Sequence, residues 1–307
     1  MSLHRLVATV GVVGVWMSGC LGDSGGGGGP LNFHAGYTFI RSGDVYLSDR
    51  SDYSRVVPLT NTGNNHNPSI SRDGSRVVFV HRSESDSELD TIAVNGSEVS
   101  PTRVYASDST HTNFGMPVFS RNGAFIVFAY QSGGSSFLGQ VDLDGRNFRR
   151  ITSGTRSYSA PSFYSDGLRV LASAGVTYAR YDSLESIVLA TGAASTVTNL
   201  LPSGVLEIAN RAVISPNEST IAVDLVTSSG VSRVFSYDVA GRRFNPLTNY
   251  PADPGTNDSF PSWDGDDLIG FSSDFRNNDS VYEIARTAIN GTGEIKVASA
   301  VEPSYGP

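Results

Sequence analysis

Short apolar runs separated by turn residues recur along the whole chain. The clearest is His66–His81, HNPSISRDGSRVVFVH. Pro68 opens an extended segment, Asp73-Gly74 makes a tight reversal, and Val77-Val78-Phe79-Val80 is continuously apolar. A strand with one wet face would alternate apolar and polar residues, so an unbroken run predicts burial on both faces. The same pattern returns at Gly115–Tyr130, Ser159–Ser173, Asn210–Asp224 and Ser259–Ser273, and a shortened copy ends the chain at Val301–Pro307. Aligned on Pro68, Pro117, Pro161, Ala212, Pro261 and Pro303, the copies are spaced by 49, 44, 51, 49 and 42 residues. That is the period of a four-stranded propeller blade.

Two further markers keep the same order. An x-Gly turn falls late in each unit, at Asn95-Gly96, Asp144-Gly145, Thr191-Gly192, Ala240-Gly241 and Asn290-Gly291. Such pairs supply the positive φ of tight hairpins. Each unit then closes on an apolar or β-branched stretch, near Val104, Ile151-Thr152, Val197-Thr198, Leu247-Thr248 and Val297. The first complete unit predicts strands at Pro68–Ser71, Arg76–His81, near Leu89–Val94 and near Thr102–Tyr105. Before it, Thr38–Arg41, Asp44–Ser48 and Arg55–Thr60 read as strands two to four of a unit that lacks its first strand. Glu302–Tyr305 reads as that missing strand. The expected fold is therefore all-β: a six-bladed β-propeller of four-stranded antiparallel blades. The N- and C-terminal strands share one blade, which removes the open sheet edges.

These residues resemble the TolB-type propeller repeat. The resemblance is carried by Ser71-Arg72-Asp73-Gly74, by Asp44-Val45-Tyr46, and by Phe271–Asp274 leading through Asn277-Asn278 to Ser280-Val281-Tyr282. It spans Tyr37 to Tyr305. The Gly-rich tether at Leu21–Pro30 is expected to run straight into the propeller, without the N-terminal domain that TolB carries, so that protein's own role is not implied.

The N-terminus changes the picture next. Met1–Arg5 is followed by the largely apolar Leu6–Trp16 and by Met17-Ser18-Gly19-Cys20. A basic start, a short apolar core and small residues form a secretory leader, too short to span a bilayer. The segment is similar to a bacterial lipobox, with Met17 where Leu is usual. The resemblance implies a lipid (palmitate-bearing) anchor on Cys20, the only cysteine in the chain. Leu21–Pro30, with five consecutive glycines, reads as a flexible tether. The expected organisation is a signal peptide at 1–19, a lipidated tether at 20–34 and a propeller at 35–307. Leu21, rather than Asp, after the cysteine implies by the same resemblance the outer membrane of a Gram-negative host, facing the periplasm.

Composition narrows function by exclusion. Net charge is −8 and pI about 5.1, with no basic stripe, so nucleic acid is not an expected partner. Gly22–Gly26, GDSGG, matches the segment around a trypsin-like nucleophile, but the only upstream histidine, His4, lies in the leader. Gln140–Gly145 and Ser262–Asp267 are acidic but lack the spacing of a calcium loop, and Asp/Gly is turn chemistry. His66 and His111 are too few for a zinc site. No cofactor, metal or catalytic set is expected.

Residues just ahead of each first strand are expected to open onto one mouth of the central channel. They supply the candidate binding set Asn65, His66, Asn67, Asn113, Tyr158, Asn210, Arg211, Asp258 and Glu302. The expected function is a monomeric, non-enzymatic envelope lipoprotein. Its propeller would bind an envelope protein or a peptidoglycan-associated partner. The alternative is a lyase- or hydrolase-like enzyme, or a saccharide binder, working at the same mouth.

Overall fold

The computed structural model describes residues 33–178, 180–249, 254–275, 279–287 and 293–306. The leader, Cys20, the tether, Asn277-Asn278 and the Asn290-Gly291 turn lie outside the described residues. The described strands form six four-stranded antiparallel sheets. The closing blade joins β1 (Gly36–Arg41), β2 (Asp44–Asp49) and β3 (Val56–Pro58) to the C-terminal β24 (Val301–Gly306), in the order β24-β1-β2-β3. The next blade holds β4 (Asn65–Ile70), β5 (Arg76–Arg82), β6 (Ser87–Ala93) and β7 (Thr102–Ala106). The third holds β8 (Thr112–Phe119), β9 (Phe125–Ser132), β10 (Ser135–Asp142) and β11 (Arg149–Arg150). The fourth holds β12 (Ser157–Phe163), β13 (Arg169–Gly175), β14 (Ser183–Val188) and β15 (Ala194–Thr198). The fifth holds β16 (Val205–Ile214), β17 (Thr220–Thr227), β18 (Ser232–Asp238) and β19 (Arg243–Pro246). The sixth holds β20 (Asp258–Asp264), β21 (Leu268–Ser273), β22 (Ser280–Ala285) and β23 (Glu294–Ala298).

The second strands make the core. Val77, Val78, Phe79 and Val80 are completely buried, as are Ile126, Val127 and Phe128 and Ile221, Ala222 and Val223. Each blade packs on the next, so both faces of a second strand lose water. Burying one such side chain contributes roughly 1.5–3 kcal/mol. At the seams, Phe114, Phe128 and Tyr130 of the third blade join Val78, Val80 and Leu89 of the second in one cluster.

The turns between first and second strands are one repeated device. Gly74 takes φ 69° and donates its N–H to Ser71 O at 2.9 Å, while Asp73 Oδ1 accepts from Ser71 Oγ and Ser75 N. Those bonds hold the Asp73 carboxyl below its ordinary pKa. Asn122-Gly123 and Asp166-Gly167 repeat the turn, and in the fifth blade Asn217 is followed by Glu218 at φ 59°. The acidic stretches at 140–145 and 262–267 fall at hairpin reversals. Gly145 and Gly265 carry the positive φ, and Asp264 and Asp267 pair with Arg50 and Arg286.

The first strands depart from expectation. β4 starts at Asn65 rather than Pro68, because a bulge between His66 and Ser69 lets pairing with β5 resume. The residue before each anchoring proline is the left-handed one: Asn67, Met116, Ala160, Phe260 and Glu302 all have φ between 50° and 54°. Proline suits the next position because it brings no N–H that the interrupted ladder would leave unpaired. In the fifth blade Ala212 replaces proline, and the irregularity stretches from Ile208 to Ala212.

Candidate functional site

The bulges turn backbone N–H groups and side chains toward the propeller axis, where neighbouring blades satisfy them. Glu302 Oε2 accepts from Asn67 N and, at 3.1 Å, from Asn67 Nδ2. Asn67 Oδ1 in turn accepts from Met116 N at 3.3 Å. On the far side Asp224, fully buried in β17, accepts four bonds. Its Oδ1 takes Asn210 N (2.9 Å) and Arg211 N (2.7 Å), and its Oδ2 takes Asn210 Nδ2 (3.0 Å) and Phe260 N (3.0 Å). Burial pushes the Asp224 pKa up, and the four donors oppose it.

Arg211 is the centrepiece. It is only 9% exposed. Its Nη1 reaches across the axis to Pro303 O of the closing blade at 2.8 Å, and Nη2 lies 4.0 Å from Met116 Sδ of the third blade. The guanidinium sits 5.6 Å from the Phe260 ring centre. Burial lowers its pKa, and Glu302 and Asp224 hold it up. One side chain thus bridges four blades and closes the channel at the level of the bulges.

Beyond that floor the axis widens into a cavity of about 410 Å³, to which all six first strands contribute. Residues one past the anchor line it in turn: Ser69, Val118, Ser162, Val213, Ser262 and Ser304. Two of these serines also tie blades together, Ser162 Oγ accepting from Ile214 N and Ser262 Oγ from Tyr305 N. The aromatic wall is Phe119, Phe163, Trp263 and Tyr305, and Trp263 Nε1 donates to Val213 O at 3.0 Å. Arg72 and Arg121 stand at the rim, and no Asp or Glu among the described residues lines the cavity. Arg121 is fixed by bonds to Phe163 O and Tyr164 O, and burial lowers its pKa.

The nine candidate binding residues lie inside the first strands rather than ahead of them. Of these, Asn67, Asn210, Arg211 and Glu302 converge in the axial network, and only Arg211 lines the cavity. Asn65 is fully buried and ties the second blade to the closing one through Gly43 O, Thr60 Oγ1 and Thr62 Oγ1. Tyr158 is buried and donates to Glu185 at 3.1 Å; burial and that carboxylate push its pKa up to about 12. Asp258 is fully buried. Asn113 is exposed and donates to Gln131, and His66 lies 3.6 Å from Glu302. Of the other histidines, His111 pairs with Asp108 at 2.9 Å and His81 meets Asn65 at 3.1 Å. The cavity opens on the opposite face, at the turns that follow the first strands.

One signal of the axial network was present in the sequence. Asp224 is a lone carboxylate inside the apolar run Ile221–Leu225.

Comparison with known proteins supports the fold class. TolB from Acinetobacter baumannii aligns with a TM-score of 0.65 at 15% identity, covering 89% of this chain and 66% of that one. A chain of a nidogen–laminin complex aligns at 0.66 with 8% identity, covering 89% and 98%. Oligogalacturonate lyase from Vibrio parahaemolyticus aligns at 0.55 with 13% identity, covering 81% and 73%. At these identities the likeness is one of fold: a six-bladed β-propeller with TolB-type neighbours. No protein-family profile matches the chain, and no curated protein matches it.

Proposed function

We propose that this protein is a cell-envelope lipoprotein whose propeller is a binding module for an envelope protein. The observation that carries the binding role is the axial cavity. It is blind, because Arg211 closes its floor, and all six blades share its lining. A concave site with apolar walls and a few convergent polar groups is the form of a recognition site. Propeller neighbours include a protein seen in a protein–protein complex, which is consistent with such a role. The mouth residues His66, Asn113 and Asn210, on the other face, are a second contact region in this reading.

The envelope placement rests on the leader and Cys20, with the Gly-rich segment as tether to the periplasm-facing side of the outer membrane. Cys20→Ala should move the protein from the membrane to the soluble fraction of the cell; a mutant that still sediments with membranes contradicts the anchor. Crosslinking of intact envelopes tests the binding role. A defined partner should copurify with the native protein and be lost with Val118→Trp, which fills the cavity wall. Equal recovery with the filled cavity counts against it.

A further inference from the structure

We propose that the axial cavity captures the C-terminal end of a partner polypeptide, with the free α-carboxylate on Arg211. This deepens the binding-module reading and rests on it.

Charge comes first. Arg72, Arg121 and Arg211 line the cavity with no Asp or Glu among its described lining residues, in a chain whose net charge is −8. None of the three forms a carboxylate ion pair among the described residues. Asp166 and Glu218 act on Arg121 only at longer range. Asp224 is committed to four N–H donors around the bulges, and Glu302 to Asn67. Neither Asp224 nor Glu302 lines the cavity. Arg211 spends Nη1 on Pro303 O and rests Nη2 near a sulfur. Its other N–H groups carry no hydrogen bond to a described residue, and guanidinium is the side chain best suited to a carboxylate.

Shape selects a chain end. The floor is closed by a side chain that runs from the fifth blade to the closing blade and on to Met116 of the third, so a polypeptide cannot thread through. About 410 Å³ takes only the last few residues. Phe119, Phe163 and Trp263, each 7–8% exposed, present ring surface to that volume. They favour an apolar final side chain. The serines one past the anchor offer hydroxyls to the peptide backbone.

The test uses immobilised full-length protein and two random tetrapeptide pools, one with free C-terminal carboxylates and one amidated. The free-acid pool should be retained with apolar last residues enriched. The amidated pool should be held at least about tenfold less, the worth of one charge-assisted hydrogen bond. Arg211→Gln should erase the difference. Should that variant fail to fold, Val118→Trp, which leaves Arg211 in place, should abolish retention at an unchanged melting temperature. Equal retention of both pools overturns the proposal, as does retention that survives Val118→Trp. Displacement of the peptides by benzoate at equal concentration also overturns it, because it marks a small-anion pocket. If neither pool is retained while an envelope partner still depends on the cavity, the carboxylate inference fails and the binding-module reading stands.

Discussion

Replacing Asp224 with alanine removes the acceptor for four N–H groups in one step. Three are backbone donors, Asn210 N, Arg211 N and Phe260 N, at 2.7–3.0 Å. Phe260 and Arg211 belong to different blades, so the loss falls on the joint between the fifth and sixth. A buried donor left without its partner costs about 1–3 kcal/mol. Asn210 is half-exposed, and water can replace part of its loss. Arg211 also loses the carboxylate that helps hold its charge. Together these place the destabilisation at about 3–5 kcal/mol. For a chain of this size that lowers Tm by roughly 6–20 °C. Asp224→Asn keeps Oδ1 for two donors but turns an NH2 toward Phe260 N, so its Tm should fall between the two. Thermal unfolding followed by circular dichroism reads the effect. A Tm for Asp224→Ala within about 2 °C of the native value, less than the cost of a single buried donor, would refute the view that this carboxylate holds the axial ring together.

Two other expectations concern the closing seam. Glu283 is buried and accepts from Tyr37 Oη at 2.7 Å; burial, with Asp264 nearby, raises its pKa. A raised folded-state pKa means that its stabilising contribution is complete below the unfolded carboxylate range, near pH 4, and is lost as pH rises through the folded value. The urea midpoint of the native protein should therefore fall relative to Glu283→Gln as pH is raised from about 4 toward neutrality; parallel profiles would remove Glu283 from the account. Deleting Glu302–Pro307 strips β1 of its partner strand and removes Glu302 and Pro303 O from Asn67 and Arg211. The melting temperature should drop by more than in Asp224→Ala, and an unchanged melt would contradict closure by the C-terminal strand.

Much of this architecture was readable from local pattern. The turn pairs and four-residue apolar runs are short-range features, and their period, with the incomplete unit at one end of the sequence and the lone first strand at the other, set the blade number and the shared closing blade. The site was less legible because its parts meet across the axis. Arg211 touches Pro303, 92 positions away, and Met116, 95 positions away. Nothing near Arg211 in sequence signals that reach. The bulge also moved the candidate residues. Asn65 and Asn67 looked like free rim groups, but β4 begins earlier and takes both into the blade, where Gly43, Glu302 and Met116 occupy them. Polar identity was legible and exposure was not, because exposure depends on where pairing resumes after an irregularity.

The proposed binding role turns on which face of the propeller a partner would meet. Photocrosslinking from single positions in intact cells measures this. A photoreactive residue at Arg72, on the cavity rim, should give a discrete adduct that disappears when Val118→Trp is added. The same probe at His66, on the opposite mouth, and at the fully exposed Val99 in the β6–β7 turn should give weaker adducts that ignore Val118→Trp. Adducts confined to position 66, or an adduct at 72 indifferent to the filled cavity, would contradict the claim that the blind cavity is the binding site.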